Sequence, residues 1–290
     1  MQDFSNHEGI IYLDGKMLPW KEAKLHVLSH GLHYASSVFE GERSYGGKVF
    51  KEIEHTNRLH HSAKVLGFDI PYTVEEICSI RRKVLEANSI TDGYIRPVAW
   101  RGSEMMGISA QETSIHFSVS AWEWPSYFSK EAKLRGIRLK ISDWKRPSPE
   151  TAPIDTKAAG LYMICTLSKH QAESEGYEDS LMLDYRGLIA EATGANIFFV
   201  INNELHTPIP DCFLNGITRK TVIDIAKNLN INVVERYMKP EEMEKAEECF
   251  VTGTAAEVTP VREIGKYKFK PGKMCNLMIE EYTKLTQGIA

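Results

Sequence analysis

The chain has 290 residues, enough for about two ordinary domains and a large buried core. Its formal net charge of -4, with both signs interspersed, excludes the basic surface that nucleic acid or an anionic membrane would need. The five cysteines are scattered without CxxC or metal-type spacing, which is typical of free thiols in a reducing compartment. The longest strongly apolar run, IFFVI at 197–201, is too short to span a bilayer. We therefore expect a cytoplasmic protein with no nucleic-acid or membrane partner.

The first part of the chain mixes extended segments with helices. An Asp-Gly pair at 14–15 in GIIYLDGKMLPW and a Gly-Gly pair at 46–47 in SVFEGERSYGGKVF each predict a hairpin. The segment TVEEICSIRRKVLEAN predicts a helix, because Thr73 and Glu76 have capping-box spacing and apolar residues recur on one face. Two strands are predicted after it, GYIRPVAW and SIHFSVSAW.

A domain boundary is predicted where this strand pattern stops, in the aromatic and polar segment EWPSYFSKEAK. We expect a small N-terminal domain over 1–122, a linker at 123–130 and a large C-terminal domain over 131–290. The class that this pattern indicates is α+β, with more hairpin pairing than a doubly wound fold shows.

The second part of the chain begins with a predicted strand, GIRLKISDW, a proline-rich loop and a helix that starts near Lys157. Later segments predict three more strands, SLMLDY, NIFFVI and NVVERY, and the helix TRKTVIDIAKNLN. The segment CFVTGTAAEVTPV reads as a strand followed by a turn. The sequence contains no repeat of fixed period.

Several common catalytic motifs are missing from the sequence. It contains no GxGxxG after a strand, no P-loop, no HExxH and no GxSxG. Their absence argues against a Rossmann dehydrogenase, a P-loop kinase, a zincin protease and an α/β-hydrolase. The histidines of HTNRLHH lack other ligand-like neighbours, so we interpret His55, His60 and His61 as the polar face of a helix and expect no metal site.

Lys157 stands before two alanines and a glycine, at the entrance to an apolar segment. A solvated lysine at a helix start would explain this pattern, and so would an amine held where small neighbours leave room for a bulky group. Two segments offer donors for a phosphate: the helix start at Ile217 and Thr218, and the small-residue turn around Thr254. With Lys157, they suggest a phosphorylated carbonyl cofactor, because a covalent imine needs an amine and a phosphate needs donors.

A pyridine cofactor also needs a carboxylate that keeps its ring nitrogen protonated, and Glu191 is the candidate for this carboxylate. It lies between apolar segments, where an unpaired carboxylate would be costly to bury. A partly exposed loop glutamate explains the local sequence equally well.

Seven segments together resemble a known family. They are SHGLHYASSVFEGERSY, EHTNRLHHSAK, GYIRPVAW, DTKAAGLYM, LIAEATGANIFFV, LNGITR and VTGTAAEVTPV. Their order and spacing resemble those of class IV pyridoxal-phosphate aminotransferases, with the closest match to branched-chain amino-acid aminotransferases. The resemblance runs from about Gly9 to Arg262. It implies the two-domain fold of type IV pyridoxal-phosphate enzymes, with a small α/β domain and a larger domain with a β-barrel-like sheet core.

The resemblance also implies roles for residues that would bind pyridoxal 5'-phosphate. Lys157 matches the lysine that joins the cofactor covalently and then moves the substrate's α-proton. Glu191 matches the carboxylate on the pyridine nitrogen, and Tyr162 matches the tyrosine whose hydroxyl meets the ring oxygen. Arg58 matches the arginine that clamps the phosphate. The remaining phosphate donors are the backbone of Ile217 and Thr218 and the residue Thr254.

A pocket for two unlike side chains follows from the same resemblance, since the family holds leucine, isoleucine or valine in one half-reaction and glutamate in the other. The residues that match walls for the apolar side chain are Tyr34, Phe39, Ile108, Trp124 and Tyr127. Tyr34, Tyr94 and Arg96 would receive the distal carboxylate of glutamate, and the turn of Thr254, Ala255 and Ala256 the α-carboxylate. The loop SEMMGIS would reach in from a second subunit, so we expect a homodimer at least.

Two positions depart from the family pattern. Glu42 stands where many branched-chain enzymes carry an apolar residue, and Ala195 stands where an acidic residue often precedes the asparagine. The same fold also serves D-amino-acid and R-amine aminotransferases and aminodeoxychorismate lyase, which differ mainly in the pocket. A non-catalytic binding protein is a further alternative, but joint retention of Lys157, Tyr162 and Glu191 argues against it.

Overall fold

The computed structural model describes residues 3–124, 131 and 135–288, and the chain divides into two compact units. Unit 1 comprises Met1–Pro125 with Thr156–Gly160, and unit 2 comprises Ser126–Asp155 with Leu161–Ala290. The segment that carries Lys157 groups with unit 1. The sequence-based division assigned that segment to a C-terminal domain, and that division stays a prediction.

Unit 1 contains an antiparallel sheet in which the strand order is β2-β1-β7-β6-β4-β5, with β3 also paired to β6. The strands are β1 Ile10–Leu13, β2 Lys16–Pro19, β3 Ser37–Phe39, β4 Glu42–Tyr45, β5 Lys48–Val49, β6 Gly93–Arg101 and β7 Ile115–Glu123. Both predicted hairpins are confirmed as β1–β2 and β4–β5. Asp14 and Gly15 take positive φ in the first turn, which is the conformation that an Asp-Gly pair accepts most easily.

The helices of unit 1 are α1 His30–Tyr34, α2 Glu52–Val65 and α3 Val74–Ala87. The predicted capping box begins α3: Glu76 N–H donates to Thr73 Oγ1 at 3.2 Å, and Thr73 N–H donates to Glu76 Oε2 at 2.7 Å. The core of this unit joins α2 and α3 to the sheet and includes Leu59, Ile77 and Ile95, all fully buried. Helix α2 is thereby fixed against the strands, and it carries Arg58.

A fully buried ion pair joins β4 to α3. Arg81 Nε lies 2.7 Å from Glu42 Oε2, and Arg81 Nη2 donates to Glu42 Oε1 at 2.8 Å. Arg81 also donates to Thr56 Oγ1 of α2 at 2.7 Å. Glu42, the acidic departure noted in the sequence, is therefore matched by a buried arginine from another element, as a buried carboxylate requires.

Unit 2 contains a sheet with strand order β10-β9-β8-β15-β14-β11-β12-β13, and β16 pairs with β15. The strands are β8 Ile137–Ile141, β9 Asp179–Leu183, β10 Ile189–Ala192, β11 Asn196–Ile201, β12 Glu204–Pro208, β13 Val233–Arg236, β14 Glu248–Gly253, β15 Glu257–Ile264 and β16 Tyr267–Lys268. Parallel pairs join β8 to β9, β8 to β15 and β12 to β13. The core on this sheet includes Leu139, Phe199 and Val261, all fully buried.

The helices of unit 2 whose bounds fall within the described residues include α4 Met163–Ser174, α5 Ile217–Asn228 and α6 Lys273–Thr286. The prediction of a helix starting near Lys157 is wrong at its beginning, because a short 3-10 turn at Ala159–Tyr162 precedes α4. The main chain before that turn is extended: Ala158 forms a β-bridge with Val38. This long-range pairing overrides the local helical preference of the alanines.

Within the described residues no helix is both long and apolar enough to cross a membrane. All five cysteines are free and buried, as their spacing predicts.

Candidate active site

Lys157 lies half-buried in unit 1, beside β3 and α2. Its main-chain N–H donates to Ser62 Oγ at 3.0 Å, and its carbonyl accepts from Phe39 N–H at 3.2 Å. The Nζ atom lies 4.9 Å from the centre of the Phe39 ring. The backbone on both sides of the side chain is thus fixed, and the amine faces an aromatic ring.

The surroundings of Lys157 disfavour its protonated form. Burial lowers its pKa to about 8, and the Arg58 and Arg96 cations act in the same direction. Glu40 and Tyr94 oppose this shift without cancelling it. The neutral amine, which is the nucleophilic form, is therefore far more populated near pH 8 than for an ordinary lysine.

This lowered pKa predicts the pH dependence of the amine's reactivity. In protein freed of any bound aldehyde, the rate at which trinitrobenzenesulfonate labels Lys157 should rise with a midpoint near pH 8. The exposed Lys145 serves as the control for overall labelling. Peptide mapping at each pH separates the two sites, and a Lys157 labelling rate without a midpoint near pH 8 would contradict the electrostatic account.

Arg58, the residue predicted to clamp a phosphate, extends from α2 to Glu40. Its Nε donates to Glu40 Oε1 at 2.6 Å, and its Nη2 donates to Oε2 at 2.9 Å. His55, one turn earlier on α2, places Nδ1 2.7 Å from Glu40 Oε2. The prediction that His55 lies on the polar face of its helix is wrong, because this bond to Glu40 holds the ring in the buried interior.

Tyr94, Arg96 and Phe39 lie together on neighbouring strands β6 and β3. Arg96 Nη2 donates to the Tyr94 hydroxyl at 3.0 Å, and the Arg96 guanidinium lies 4.6 Å from the centre of the Phe39 ring. The predicted shared face of Tyr94 and Arg96 is therefore observed. Gly41 is required beside them, because a Cβ at that position would overlap the Tyr94 hydroxyl. Trp124 packs on Tyr94 with ring centres 5.3 Å apart.

Glu191 lies buried in β10 of unit 2. Its Oε1 lies 3.4 Å from Arg146 Nε, and its Oε2 accepts from Asn196 Nδ2 at 3.1 Å. Burial alone would lower the pKa of Arg146, but Glu191, Cys165 and Tyr162 together outweigh burial and raise that pKa. Tyr162 thus belongs to the same group of side chains as Glu191 and Arg146.

Asn196 joins Glu191 to the start of α5. Its Oδ1 accepts from Gly216 N–H at 3.1 Å, and its Nδ2 also donates to Leu214 O at 3.0 Å. A Cβ on Gly216 would overlap Asn196 Oδ1, so the glycine permits this close approach. The N–H groups of Ile217 and Thr218 belong to the first turn of α5 and have no acceptor within the helix, which suits them to an anion.

The turn of Thr254, Ala255 and Ala256 connects β14 to β15. Strand β14 pairs with β11, with Thr252 opposite Asn196, so the turn follows a strand that is held beside the Glu191 group. Thr254 and Ala255 are partly exposed, whereas Ala256 is buried. The small side chains leave the backbone of this turn open to a ligand.

The remaining predicted site residues lie in unit 1 or outside the description. Tyr34 is 45 % exposed on α1 and stacks on His30, and Ile108 is 89 % exposed in the loop after β6. A side chain as exposed as Ile108 cannot wall an apolar pocket within its own chain. Tyr127 lies outside the described residues.

Sequence reasoning missed four residues that organise these groups, namely Glu40, His55, Arg146 and Asn196. Each acts through a partner distant in the chain, so local patterns carry little trace of them. The one local signal is Glu40 itself, a carboxylate that directly follows the apolar pair Val38 and Phe39, where an unpaired charge would be costly to bury.

The sequence profile described as amino-transferase class IV matches residues 37–264. The chain belongs to this family of enzymes. It is 45 % identical over 287 residues, 98 % of both chains, to the probable branched-chain-amino-acid aminotransferase of Rickettsia bellii.

Two solved structures extend the likeness to the fold. The branched-chain aminotransferase of Thermoproteus uzoniensis with norvaline has a TM-score of 0.93 and 35 % identity, over 97 % of this chain and 96 % of that one. The branched-chain amino acid aminotransferase of Thermobaculum terrenum in PLP-form has a TM-score of 0.89 and 28 % identity, over 98 % and 95 %. The predicted type IV fold and the predicted family are thereby confirmed.

Proposed function

We propose that the protein uses pyridoxal 5'-phosphate to transfer an amino group reversibly between L-leucine, L-isoleucine or L-valine and 2-oxoglutarate. The observation that carries the proposal is Lys157, a half-buried amine with a lowered pKa that is fixed beside Arg58 and Phe39. The named activities of the relatives, and the PLP-form in which one of them was solved, support the same reaction.

The residues present fit this cofactor. Arg58, Thr254 and the first N–H groups of α5 are donors that suit a phosphate, and Glu191 is a buried carboxylate suited to a protonated ring nitrogen. When bound, the cofactor supplies an electron sink for the bond-breaking at the substrate's α-carbon. Lys157 would hold the cofactor covalently. Once displaced by the substrate, its amine would take the proton from the substrate's α-carbon in one half-reaction and return a proton to the α-carbon in the other. The Tyr162 hydroxyl would donate a hydrogen bond to the oxygen on the cofactor's ring.

The substrate contacts in this proposal explain how one pocket accepts two unlike side chains. Phe39 offers an apolar ring, and Arg96 lies on that ring while bonded to Tyr94. A leucine side chain would pack on Phe39 and Trp124, with Tyr34 and Tyr127 as further walls. The distal carboxylate of glutamate would pair with Arg96 and the tyrosine hydroxyls. The α-carboxylate would bind the backbone of the turn at Thr254, Ala255 and Ala256.

The test is an amino-transfer assay of the purified protein with pyridoxal phosphate. Formation of L-glutamate from L-leucine and 2-oxoglutarate, with no transfer from D-alanine or R-phenylethylamine, is the expected result. Transfer from the D-amino acid or the R-amine alone would assign the chain to the relatives with the opposite selectivity. Release of 4-aminobenzoate from aminodeoxychorismate would assign it to the lyase.

Replacing Arg96 should impair the half-reaction with glutamate and 2-oxoglutarate more than the half-reaction with leucine. In Arg96→Ala, KM for glutamate and for 2-oxoglutarate should rise by roughly 10- to 100-fold, because a charge-assisted hydrogen bond contributes about 1.5–3 kcal/mol. KM for leucine should change by less than about threefold, since its side chain carries no charge to pair. Single-turnover measurement of each half-reaction checks this difference. Arg96→Lys is the control variant that keeps the positive charge. Equal losses for both substrates would show that Arg96 does not bind the distal carboxylate.

We propose further that the enzyme is a homodimer in which Ile108 reaches the partner's site. Apolar side chains stand exposed on the segment around α1 and on the loop after β6, among them Val27 at 70 %, Leu32 at 65 % and Ile108 at 89 %. His30 Nε2 lies 2.9 Å from Gly107 O and so ties that loop to α1. Exposed apolar side chains on two segments that are bonded to each other support an interface with a second copy of the chain.

Light scattering should then give a particle of twice the 32.9 kDa chain mass. Ile108→Asp should lower both dimer stability and turnover, whereas the same change at the exposed Val65, at the end of α2, should affect neither. A fully active monomer would contradict the proposal.

A further inference from the structure

Glu40 is a fully buried acidic group whose charge acts on Lys157. Its two oxygens accept four bonds, two from Arg58, one from His55 and one from the backbone N–H of Gly41. The contacts from Arg58 form a bidentate pair, with Nε on one oxygen and Nη2 on the other. Such a pair fixes the plane of the guanidinium as well as its position.

Burial and the mutual contacts of Glu40, Arg58 and His55 determine which of these three side chains are charged. Burial alone would raise the pKa of Glu40, but Arg58 and His55 outweigh burial and hold the pKa below the usual range. Burial lowers the pKa of His55, so the ring is neutral at ordinary pH and donates its Nδ1–H to the carboxylate. The Glu40 carboxylate is therefore held by one cation, Arg58, and by two neutral donors, the His55 ring and the Gly41 N–H.

The neighbouring Glu42 also pairs with an arginine, but the two carboxyls differ: burial raises the pKa of Glu42 to about 8, whereas the pKa of Glu40 lies below the usual range. Glu40 lies between β3 and β4, Glu42 begins β4, and their oxygens lie with His55 Nδ1 inside a 4.8 Å group. Each of the two carboxyl groups is paired with a guanidinium group, Glu40 with Arg58 and Glu42 with Arg81. Arg81, the partner of Glu42, bonds onward to Thr56, whereas Arg58 stands beside the amine of Lys157.

We propose that Glu40 is a positioning residue that orients Arg58 toward the cofactor's phosphate, with His55 as its second support. This inference rests on the proposed function, since it assigns Arg58 to a phosphate. An arginine held in one plane before binding loses little freedom when it meets the phosphate, so the affinity gained is larger than for a mobile arginine. Without Glu40, the guanidinium would keep its charge but lose its fixed direction.

The test compares two aldehydes that differ only in the phosphate. Dissociation constants of pyridoxal 5'-phosphate and of pyridoxal are measured by absorption titration of the cofactor-free full chain. In Glu40→Gln, binding of the phosphorylated aldehyde should weaken by about 10- to 100-fold, whereas binding of pyridoxal should change by less than about threefold.

Glu42→Gln is the matched control, because it removes a carboxylate of the same burial two residues further along the chain. In Glu42→Gln the ratio of the two dissociation constants should stay at the wild-type value, whatever the change in melting temperature. In an Arg58→Gln background, Glu40→Gln should cause no further loss of phosphate preference. Glu40→Asp, which keeps the charge but is too short to accept all three side-chain bonds from Arg58 and His55, should shift the same ratio and serves if Glu40→Gln does not fold.

The outcomes separate this inference from the proposed function. If the wild-type chain binds pyridoxal phosphate but Glu40→Gln and Glu40→Asp both keep the wild-type ratio, the positioning role is wrong and the proposed function stands. An equal loss for both aldehydes in these variants would also overturn it, in favour of a purely structural role. A wild-type chain that binds neither aldehyde at Lys157 would overturn the proposed function itself, and this inference with it.

Discussion

Lys157→Ala should bind pyridoxal phosphate without a covalent bond and should lose at least about 10⁴-fold of wild-type turnover. The structure offers the reason: the amine has a lowered pKa, and its backbone is bonded on both sides to Ser62 and Phe39. One side chain would thus supply both the covalent attachment and the proton transfer at the α-carbon, and its loss would remove both.

Two measurements check this expectation. Borohydride reduction followed by peptide mass mapping should find the pyridoxyl group on Lys157 in the wild-type chain and at no lysine in the variant. Lys145→Ala, at an exposed position, should keep label and turnover. Label on another lysine, or turnover within about tenfold of wild type in Lys157→Ala, would contradict the assignment.

Glu191→Gln should lower turnover by roughly 10²- to 10³-fold while the protein remains folded, an effect comparable to the loss of one preorganised electrostatic partner. Glutamine preserves the shape of the side chain and its bond with Asn196, but not the negative charge beside Arg146. A neutral amide would no longer hold a proton on a pyridine nitrogen, so the electron sink would weaken. Dissociation of the cofactor should change much less than turnover.

The control for Glu191 is Glu173→Gln, which removes a carboxylate from the exposed side of α4 and should leave turnover unchanged. The absorption maximum of the bound cofactor should shift in Glu191→Gln and not in Glu173→Gln, because ring protonation changes the spectrum. Unchanged turnover and an unchanged spectrum in Glu191→Gln would show that this carboxylate does not meet the ring.

The elements that the sequence predicts well are those with local causes. An Asp-Gly turn accepts positive φ, a threonine and a glutamate three residues apart cap α3, and alternation along β6 places Tyr94 and Arg96 on one face. Each of these causes involves residues close together in the chain, so a local sequence pattern is enough to predict the element. The predicted start of α4 is wrong because a bridge from Val38 holds Ala158 extended.

The supports of the candidate site have non-local causes and could not be predicted. His55 resembles a surface histidine in its helix, yet it is buried because Glu40, from the segment between β3 and β4, needs a second donor. Asn196 resembles an ordinary residue at a strand start, yet its amide joins Glu191 to Gly216. Glu42 stands out in the sequence as a departure from the family pattern, and the structure shows its partner to be Arg81 on α3. In each case at least one partner lies on another element, 15 or more residues away in the chain.

The measurement that tests the central claim most directly is the visible absorption spectrum of the protein saturated with pyridoxal phosphate, recorded during titration with L-leucine and, separately, D-alanine. No oxo acid is present, so only the first half-reaction can occur. The account predicts that L-leucine removes the band of the lysine-bound cofactor and that D-alanine leaves it intact. A band that responds only to D-alanine, or no such band in the saturated wild-type protein, would contradict it.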